Sequence, residues 1–241
     1  MIQLYQFPIS HYCEKVRWAL DFKGVEYQTI NLLPGFHIKK IKQANPKSSV
    51  PVLIDGEETL QNSADIITYL DTKYPQNTLT PVNSEEKQQA LDWERYLDEN
   101  LGVPVRLCCY HILLEHPKIV IPFLTHKGPW YGKFLLKFAF PKLQQKMRYF
   151  MHINEENFHK SKAKIHEVVD KINERLSNGK FLVENNFSRA DLTAAALLAP
   201  FKMPKGYGLE LPKNLPNDLQ NLFSEFEEKI DWVEKTYQNF R

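Results

Sequence analysis

The spacing of hydrophobic and polar positions divides the chain into two parts with different secondary structure. In the first part, short runs of alternating apolar and polar residues predict strands, and segments with apolar residues at helical spacing lie between them. After residue 84 the alternation disappears and only helical spacing continues. The pattern predicts a small α/β unit followed by a larger all-helical one.

The first part has the predicted element order βαβαββα. The predicted strands are 2–7, 25–32, 50–54 and 58–60, and the predicted helices are 12–23, 36–44 and 63–74. Asp55-Gly56 is a strong hairpin signal because both turn positions tolerate positive φ. We expect the β–α–β unit to be parallel and right-handed and the closing hairpin to be antiparallel.

The second part is predicted to contain helices at 85–115, 155–176, 188–198 and 219–237. Pro104 is expected to kink or divide the first of these helices. The resulting prediction is a domain at 1–76, a polar linker at 77–84 and an all-helical domain at 85–241.

Composition and charge are those of an ordinary globular protein. The chain has 31 basic and 29 acidic residues, a net charge of +2, which argues against nucleic acid as a partner. No apolar run reaches the roughly 18 residues of a membrane span. The N-terminus lacks the features of a signal peptide, so we expect a cytoplasmic location. The three cysteines form neither a disulfide framework nor a metal-ligand set.

The first candidate for chemistry lies where the first strand passes into the first helix. Ser10 is placed to cap this helix, and Cys13 lies about one turn inside it. A helix N-terminus stabilises an anion or a thiolate and lowers its pKa. Taken alone, Ser10 is equally consistent with a simple cap, and the favoured interpretation of Cys13 is a buried, inert thiol.

Three further segments carry candidate binding or capping residues. A cis Val50–Pro51 bond would leave the peptide groups of Val50 free for an extended ligand, although cis bonds are rare even before proline. Asn62-Ser63 begins the next helix, where it could hold an anion or only cap the helix. Ser188 and Asp191 have the spacing of a capping box, which we interpret as structural.

In their order and spacing, these features resemble the cytosolic glutathione transferase superfamily. The matching runs are Ser-x-x-Cys-x-Lys-Val-Arg at 10–17, Asn45-Pro46 followed by Val50-Pro51, the Asp55-Gly56 hairpin, the Asn62-Ser63 helix start and the Ser-x-x-Asp box. The resemblance covers nearly the whole chain. It implies a thioredoxin-like domain, an all-helical second domain and a homodimer.

The resemblance also implies roles for individual residues. Ser10 would be the catalytic group that stabilises the thiolate of glutathione, the co-substrate, for attack on a small hydrophobic electrophile. The residues implied for binding glutathione are Val50, Pro51, Asn62, Ser63 and His37. Of these, Val50 would pair with the peptide backbone of glutathione, Asn62 and Ser63 would hold its γ-glutamyl carboxylate, and His37 would reach its glycine end.

Some positions depart from the family pattern. Gln6 stands where tyrosine-type members carry their tyrosine, which favours the serine type. Asn62 replaces a common Glu or Gln, and Ser49 replaces a frequent Lys or Gln, which motivates the alternative of a non-catalytic binding protein. Cys13 motivates another alternative, a glutathione-dependent reductase or isomerase.

Residues 117–153 contain no acidic side chain, but they hold seven basic and eight aromatic ones. The segment resembles an insertion between helices of the second domain. Three interpretations compete: helix packing with solvated lysines, a wall or lid of the substrate site, and peripheral contact of 117–150 with an anionic membrane surface.

Overall fold

The first part of the chain is built on a four-stranded sheet. The computed structural model describes residues 1–38, 41, 48–184, 186–212 and 214–241. The strands are β1 (Ile2–Gln6), β2 (Tyr27–Asn31), β3 (Val52–Asp55) and β4 (Glu58–Gln61). They lie in the order β2-β1-β3-β4, with β1 and β2 parallel and the remaining pairs antiparallel. The thioredoxin-like sheet and the antiparallel hairpin are as predicted, but the turn lies one residue further on, at Gly56-Glu57, because Asp55 pairs with Glu58 at the end of the ladder.

Two helices of this part are described, α1 (His11–Phe22) and α2 (Ser63–Lys73). The predicted helix at 36–44 and the Asn45-Pro46 pair fall mostly or wholly outside the described residues. Helix α1 contacts α2 and also the helical part of the chain, so almost all of its side chains are buried.

The second part is helical, as predicted. Its helices are α3 (Ser84–Leu97), α4 (Val103–Leu113), α5 (Pro117–Thr125), α6 (Gly132–Phe150), α7 (Glu155–Ser177), α8 (Arg189–Lys202), α9 (Asn217–Phe226) and α10 (Asp231–Phe240). A π-helical turn over Asp98–Gly102 separates α3 from α4 directly before Pro104, where the kink or division was expected. Within the described residues, no helix combines the length and apolar composition that crossing a lipid bilayer requires.

The predicted single helix at 219–237 is wrong. A short 3-10 turn over Glu228–Ile230 divides it into α9 and α10. The division lets α9 pack on α4 and α8, while α10 turns back to α8 and α1. There, the ring of Tyr237 packs 4.3 Å from that of Trp18, measured between ring centroids.

The Ser188–Asp191 capping box begins α8, which confirms its structural interpretation. The Ser188 hydroxyl oxygen accepts the Ala190 N–H, and the Asp191 carboxylate accepts the Ser188 N–H at 3.0 Å. Asp191 also accepts the Leu182 N–H at 2.7 Å, so the box fixes the preceding loop to the helix.

A buried ionic network joins the two parts of the chain. Glu94 of α3 lies 3.0 Å from the Lys15 ammonium of α1 and 2.6 Å from the Arg189 guanidinium of α8. Arg189 also donates to the Ala64 carbonyl of α2 at 2.8 Å, and Lys15 pairs with Asp98 at 2.7 Å. The two helices of the α/β unit are thereby bonded to the helical part.

Candidate functional site

Ser10 caps the N-terminus of α1 between the two parts of the chain. Its Oγ accepts the Cys13 N–H at 3.3 Å, and its own N–H donates to the Phe7 carbonyl at 2.9 Å. The side chain is partly exposed. Because Oγ acts as an acceptor toward the helix, its hydroxyl proton is left to donate to another group.

Cys13, which motivated the alternative chemistry, is fully buried beneath Ser10. Burial raises the pKa of the Cys13 thiol, and this effect exceeds the opposing influence of the Ser10 hydroxyl and the Arg17 charge. The thiol is therefore neutral at physiological pH, and a neutral, buried thiol is a poor nucleophile.

The π-helical turn holds the first turn of α1 in place. The Tyr12 hydroxyl donates to the Asp98 carbonyl at 2.6 Å, and His11 Nε2 lies 3.0 Å from the Gly102 carbonyl oxygen. A Cβ atom at Gly102 would overlap the Tyr12 hydroxyl, so this approach requires glycine. The helix that carries Ser10 is thus fixed by backbone groups that the turn leaves available.

His11 makes this junction sensitive to acid. Burial, helped by the charges of Arg106 and Lys15, lowers the pKa of His11 from 6.5 to about 3. Below about pH 6.5 His11 binds a proton in the unfolded chain but not in the folded one. The free energy of unfolding therefore decreases as the pH is lowered, by about 1.4 kcal/mol per pH unit from this group.

We therefore expect the His11→Gln variant to lose less stability than the wild type between neutral pH and about pH 4. Urea unfolding midpoints measured across this range test the difference between the two slopes. Parallel curves for the two proteins would contradict the assignment.

The predicted glutathione-binding residues of β3 and α2 lie near one another. The Val50–Pro51 bond is cis, and Val50 precedes the paired part of β3. Asn62 has a φ of 83° and caps α2 by accepting the Ala64 N–H at 3.1 Å, while Ser63 is buried. The Gln61 side chain donates to the Ser49 carbonyl at 2.6 Å, which fixes the loop before Val50 to the end of β4.

His37 lies on the loop that follows β2. Its Nδ1 accepts the Gly35 N–H at 3.1 Å, and its ring packs edge-on against Phe7 at 4.8 Å between ring centroids. Burial lowers the pKa of His37, despite a backbone hydrogen bond to Ser48 that raises it. A neutral ring that braces the loop offers no charge to a carboxylate, so its role at the glycine end of glutathione stays a prediction.

Arg106 and Tyr110 are site candidates that sequence reasoning missed. They follow Gly102 at one-turn intervals on α4, so they share the face that approaches α1. Arg106 is partly buried and has no hydrogen-bond or ion-pair partner among the described residues. Its charge lowers the pKa of His11, and Cys13 is near enough to influence the pKa of Tyr110, which burial raises to about 12.

A sequence signal for Arg106 exists, since it is the only Lys, Arg, Asp or Glu between residues 100 and 114. An isolated cation within an apolar helix has either a buried partner or a function. Among the described residues Arg106 has no such partner, and its charge acts on His11 in the first turn of α1.

Comparisons with known proteins agree with the fold. Residues 4–78 match the family model for the glutathione S-transferase N-terminal domain, and residues 135–229 match the C-terminal domain model. Glutathione S-transferase Z1 of Arabidopsis thaliana is 41% identical over 121 residues, covering 42% of this chain and 55% of that protein. A maleylpyruvate isomerase of Ralstonia is 35% identical over 91 residues, covering 36% of this chain and 43% of that enzyme.

Among solved structures, the beta-etherase LigF of Sphingobium has a TM-score of 0.66 at 21% identity, covering 98% of this chain and 99% of that one. This likeness concerns the fold alone. The sequence matches to the Arabidopsis and Ralstonia proteins span about half of each relative, so they do not decide the reaction.

Proposed function

Because the chain belongs to the glutathione S-transferase family, we propose that it binds glutathione at the N-termini of α1 and α2 and catalyses attack of the glutathione sulfur on an electrophile. The observation that carries this proposal is the geometry of Ser10. Its oxygen accepts the Cys13 N–H at the helix start. Its hydroxyl also hydrogen-bonds the buried Cys13 side chain, and we propose that the proton turns to the glutathione sulfur when glutathione binds.

The task of Ser10 is to favour the thiolate. The thiol of glutathione has a pKa near the cysteine value of about 8.5, so only a minority is ionised at neutral pH. A hydroxyl donor and the positive end of a helix both stabilise the anion and lower its pKa. The sulfur proton passes to solvent, and the sulfur lone pair forms the new bond to carbon.

The rest of glutathione would lie along the edge formed by Val50 and the start of α2. The N–H and C=O of Val50 precede the β3 ladder and would pair with the peptide like an added strand. The γ-glutamyl carboxylate would bind at the N-terminus of α2. Since Ser63 is buried and Asn62 Oδ1 is used as the cap, we assign this contact to the amide groups of that turn.

We further propose that the electrophile carries an anionic group, such as a carboxylate. Arg106 supports this class because it lies beside the first turn of α1 without a partner among the described residues. Tyr110, one turn further along α4, adds a hydroxyl donor on the same face of that helix. This refines the hydrophobic electrophile predicted from the sequence.

The same attack allows three outcomes that differ in their products. Expulsion of a leaving group from the attacked carbon gives a glutathione conjugate, as in a transferase or an ether-cleaving lyase. Re-expulsion of the thiolate after bond rotation gives an isomer and regenerates glutathione. The reductase alternative through Cys13 is disfavoured because its thiol is buried and neutral.

The test compares a chloronitrobenzoate with its neutral carboxamide as electrophiles, with glutathione consumption and product followed together. We expect turnover by the wild type and a KM for the benzoate about 10-fold higher in Arg106→Gln, with the carboxamide unaffected, because a hydrogen bond to a charged group is lost. Arg95→Gln, an exposed arginine on α3, is the matched control.

Each part of the proposal has its own contrary result. If the KM for the benzoate is equal in Arg106→Gln and the wild type, Arg106 does not bind an anionic group of the electrophile. Absence of glutathione binding by calorimetry would favour the non-catalytic alternative.

The assembly and location are further proposals. We propose domains at 1–76 and 85–241 joined by the 77–84 linker, a homodimer, and a cytoplasmic location, as the sequence predicted. Light scattering on the purified chain tests the dimer.

A further inference from the structure

Helix α6 has an apolar face on each side of its N-terminal half. The inner side chains, which are buried against α5 and its surroundings, are Leu136, Phe140, Leu143 and Met147. The outer surface carries a second set at the start of the helix and just before it, which we call the outer aromatic face: Trp130, Tyr131, Phe134, Leu135 and Phe138.

Three rings of the outer aromatic face are largely open to solvent. Trp130 is 86% exposed, Phe138 84% and Phe134 68%. Phe134 and Phe138 stand one turn apart on the same side of α6. Trp130, just before the helix, packs edge-on against Tyr131 at 5.8 Å between ring centroids, so these exposed rings cluster at the start of the helix. Folded chains rarely leave a patch of large apolar side chains uncovered, and such patches mark interaction surfaces.

The charge around this patch is uniformly positive along the segment. Lys127, Lys133 and Lys137 are exposed, and none has an ion-pair partner among the described residues. No carboxylate occurs between residues 117 and 153 to neutralise them. Glu115, the nearest in sequence, is paired with Arg148 at the other end of α6.

We propose that the outer aromatic face docks on an anionic lipid bilayer, with its rings in the interfacial layer and its lysines against lipid phosphates. Rings of Trp, Tyr and Phe are favoured at the membrane interface, and each nearby lysine contributes about 1 kcal/mol of attraction to an anionic leaflet. A second copy meeting this face symmetrically would oppose lysine to lysine, so charge complementarity selects an anionic partner over self-association.

The segment that carries the outer aromatic face packs against the α/β unit. A Cβ atom at Gly132 would lie 2.8 Å from a methyl group of Leu33, and the Asn31 side chain donates to the Lys127 carbonyl at 3.0 Å. The start of α6 is thus seated on the end of β2 and the loop that follows it. Docking would hold this whole edge against the membrane, whatever reaction the chain catalyses.

Co-sedimentation of the full chain with vesicles tests the proposal. We expect binding to phosphatidylcholine vesicles that contain phosphatidylglycerol, weaker binding at high salt and none to phosphatidylcholine alone. The double variant Lys133→Gln/Lys137→Gln should lower the partition coefficient roughly 30-fold at low salt, the equivalent of about 2 kcal/mol. The triple variant Trp130→Ser/Phe134→Ser/Phe138→Ser should abolish binding.

The chain offers a matched control at the other end of α6. Tyr149 and Phe150 are 75% and 73% exposed, so Tyr149→Ser/Phe150→Ser removes rings of comparable exposure but should keep vesicle binding. Because all these side chains are exposed, the thermal midpoints should stay near the wild-type value.

Three results would overturn the proposal. The first is the absence of binding to anionic vesicles, the second is equal loss of binding in the control and the triple variant, and the third is normal vesicle binding by the triple variant. If the triple variant also changes the mass of the particle in light scattering, the face is instead a subunit interface.

Discussion

Replacement of Ser10 by alanine is expected to lower kcat/KM for glutathione-dependent turnover roughly 100-fold at neutral pH, the loss typical of removing one positioned proton donor from an active site. The loss should shrink as the pH is raised through the glutathione thiol pKa of about 8.5, because solvent then supplies the thiolate that Ser10 otherwise stabilises. A pH profile of kcat/KM checks both statements.

The stability of Ser10 variants must be separated from their activity, since Ser10 also caps α1. Loss of a serine cap to alanine costs about 1 kcal/mol, whereas glycine at a cap costs only a few tenths. Ser10→Gly should therefore be as inactive as Ser10→Ala but more stable, and Ser10→Thr should recover part of the activity. If kcat/KM is unchanged in Ser10→Ala, Ser10 does not stabilise the glutathione thiolate.

Cys13→Ala is the comparison that decides between the serine and cysteine chemistries. The thiol is buried and neutral, so its removal should alter stability while leaving kcat/KM close to the wild type. The opposite pattern, with activity lost in Cys13→Ala and kept in Ser10→Ala, would favour the reductase or isomerase alternative.

The elements that could be predicted from the sequence are those with local signals. Gly56 specifies the hairpin because its positive φ of 63° is open to glycine, and Ser188 and Asp191 specify a cap within a single turn. The break between α9 and α10 has no comparable local signal. It accompanies a long-range contact, since Tyr237 packs on Trp18, a residue more than 200 positions earlier.

The residues of the candidate site likewise include some with a local sequence signal and some without one. Ser10 could be predicted because capping is a property of the helix it begins. The nearness of Arg106 and Tyr110 to this site could not, because it depends on the π-helical turn, whose Asp98 and Gly102 carbonyls bond Tyr12 and His11 just before α4 begins. The same contact explains why Lys15, which reads as a surface residue in the sequence, is fully buried.

The largest effect on stability is expected from Glu94→Gln. Glu94 is fully buried and is the acidic partner shared by Lys15 and Arg189, at 3.0 and 2.6 Å. The neutral amide leaves two buried cations with one fewer negative charge, and breaking a buried pair in this way costs about 3–5 kcal/mol. For a chain of this size we expect a fall of roughly 10 °C in the thermal midpoint.

Asp92→Asn, two residues away on the same helix, separates this effect from the general loss of an ion pair. Asp92 lies 2.6 Å from Arg95, as close as Glu94 lies to Arg189, but both partners are exposed. Water screens such a pair, so its loss should cost less than about 1 kcal/mol. Equal midpoints for the two variants would mean that the buried network adds no more to stability than an exposed pair does. A large loss in Glu94→Gln alone would show that this buried carboxylate is a main contributor to the contact between α1 and the helical part, beside the bonds of α1 to the π-helical turn.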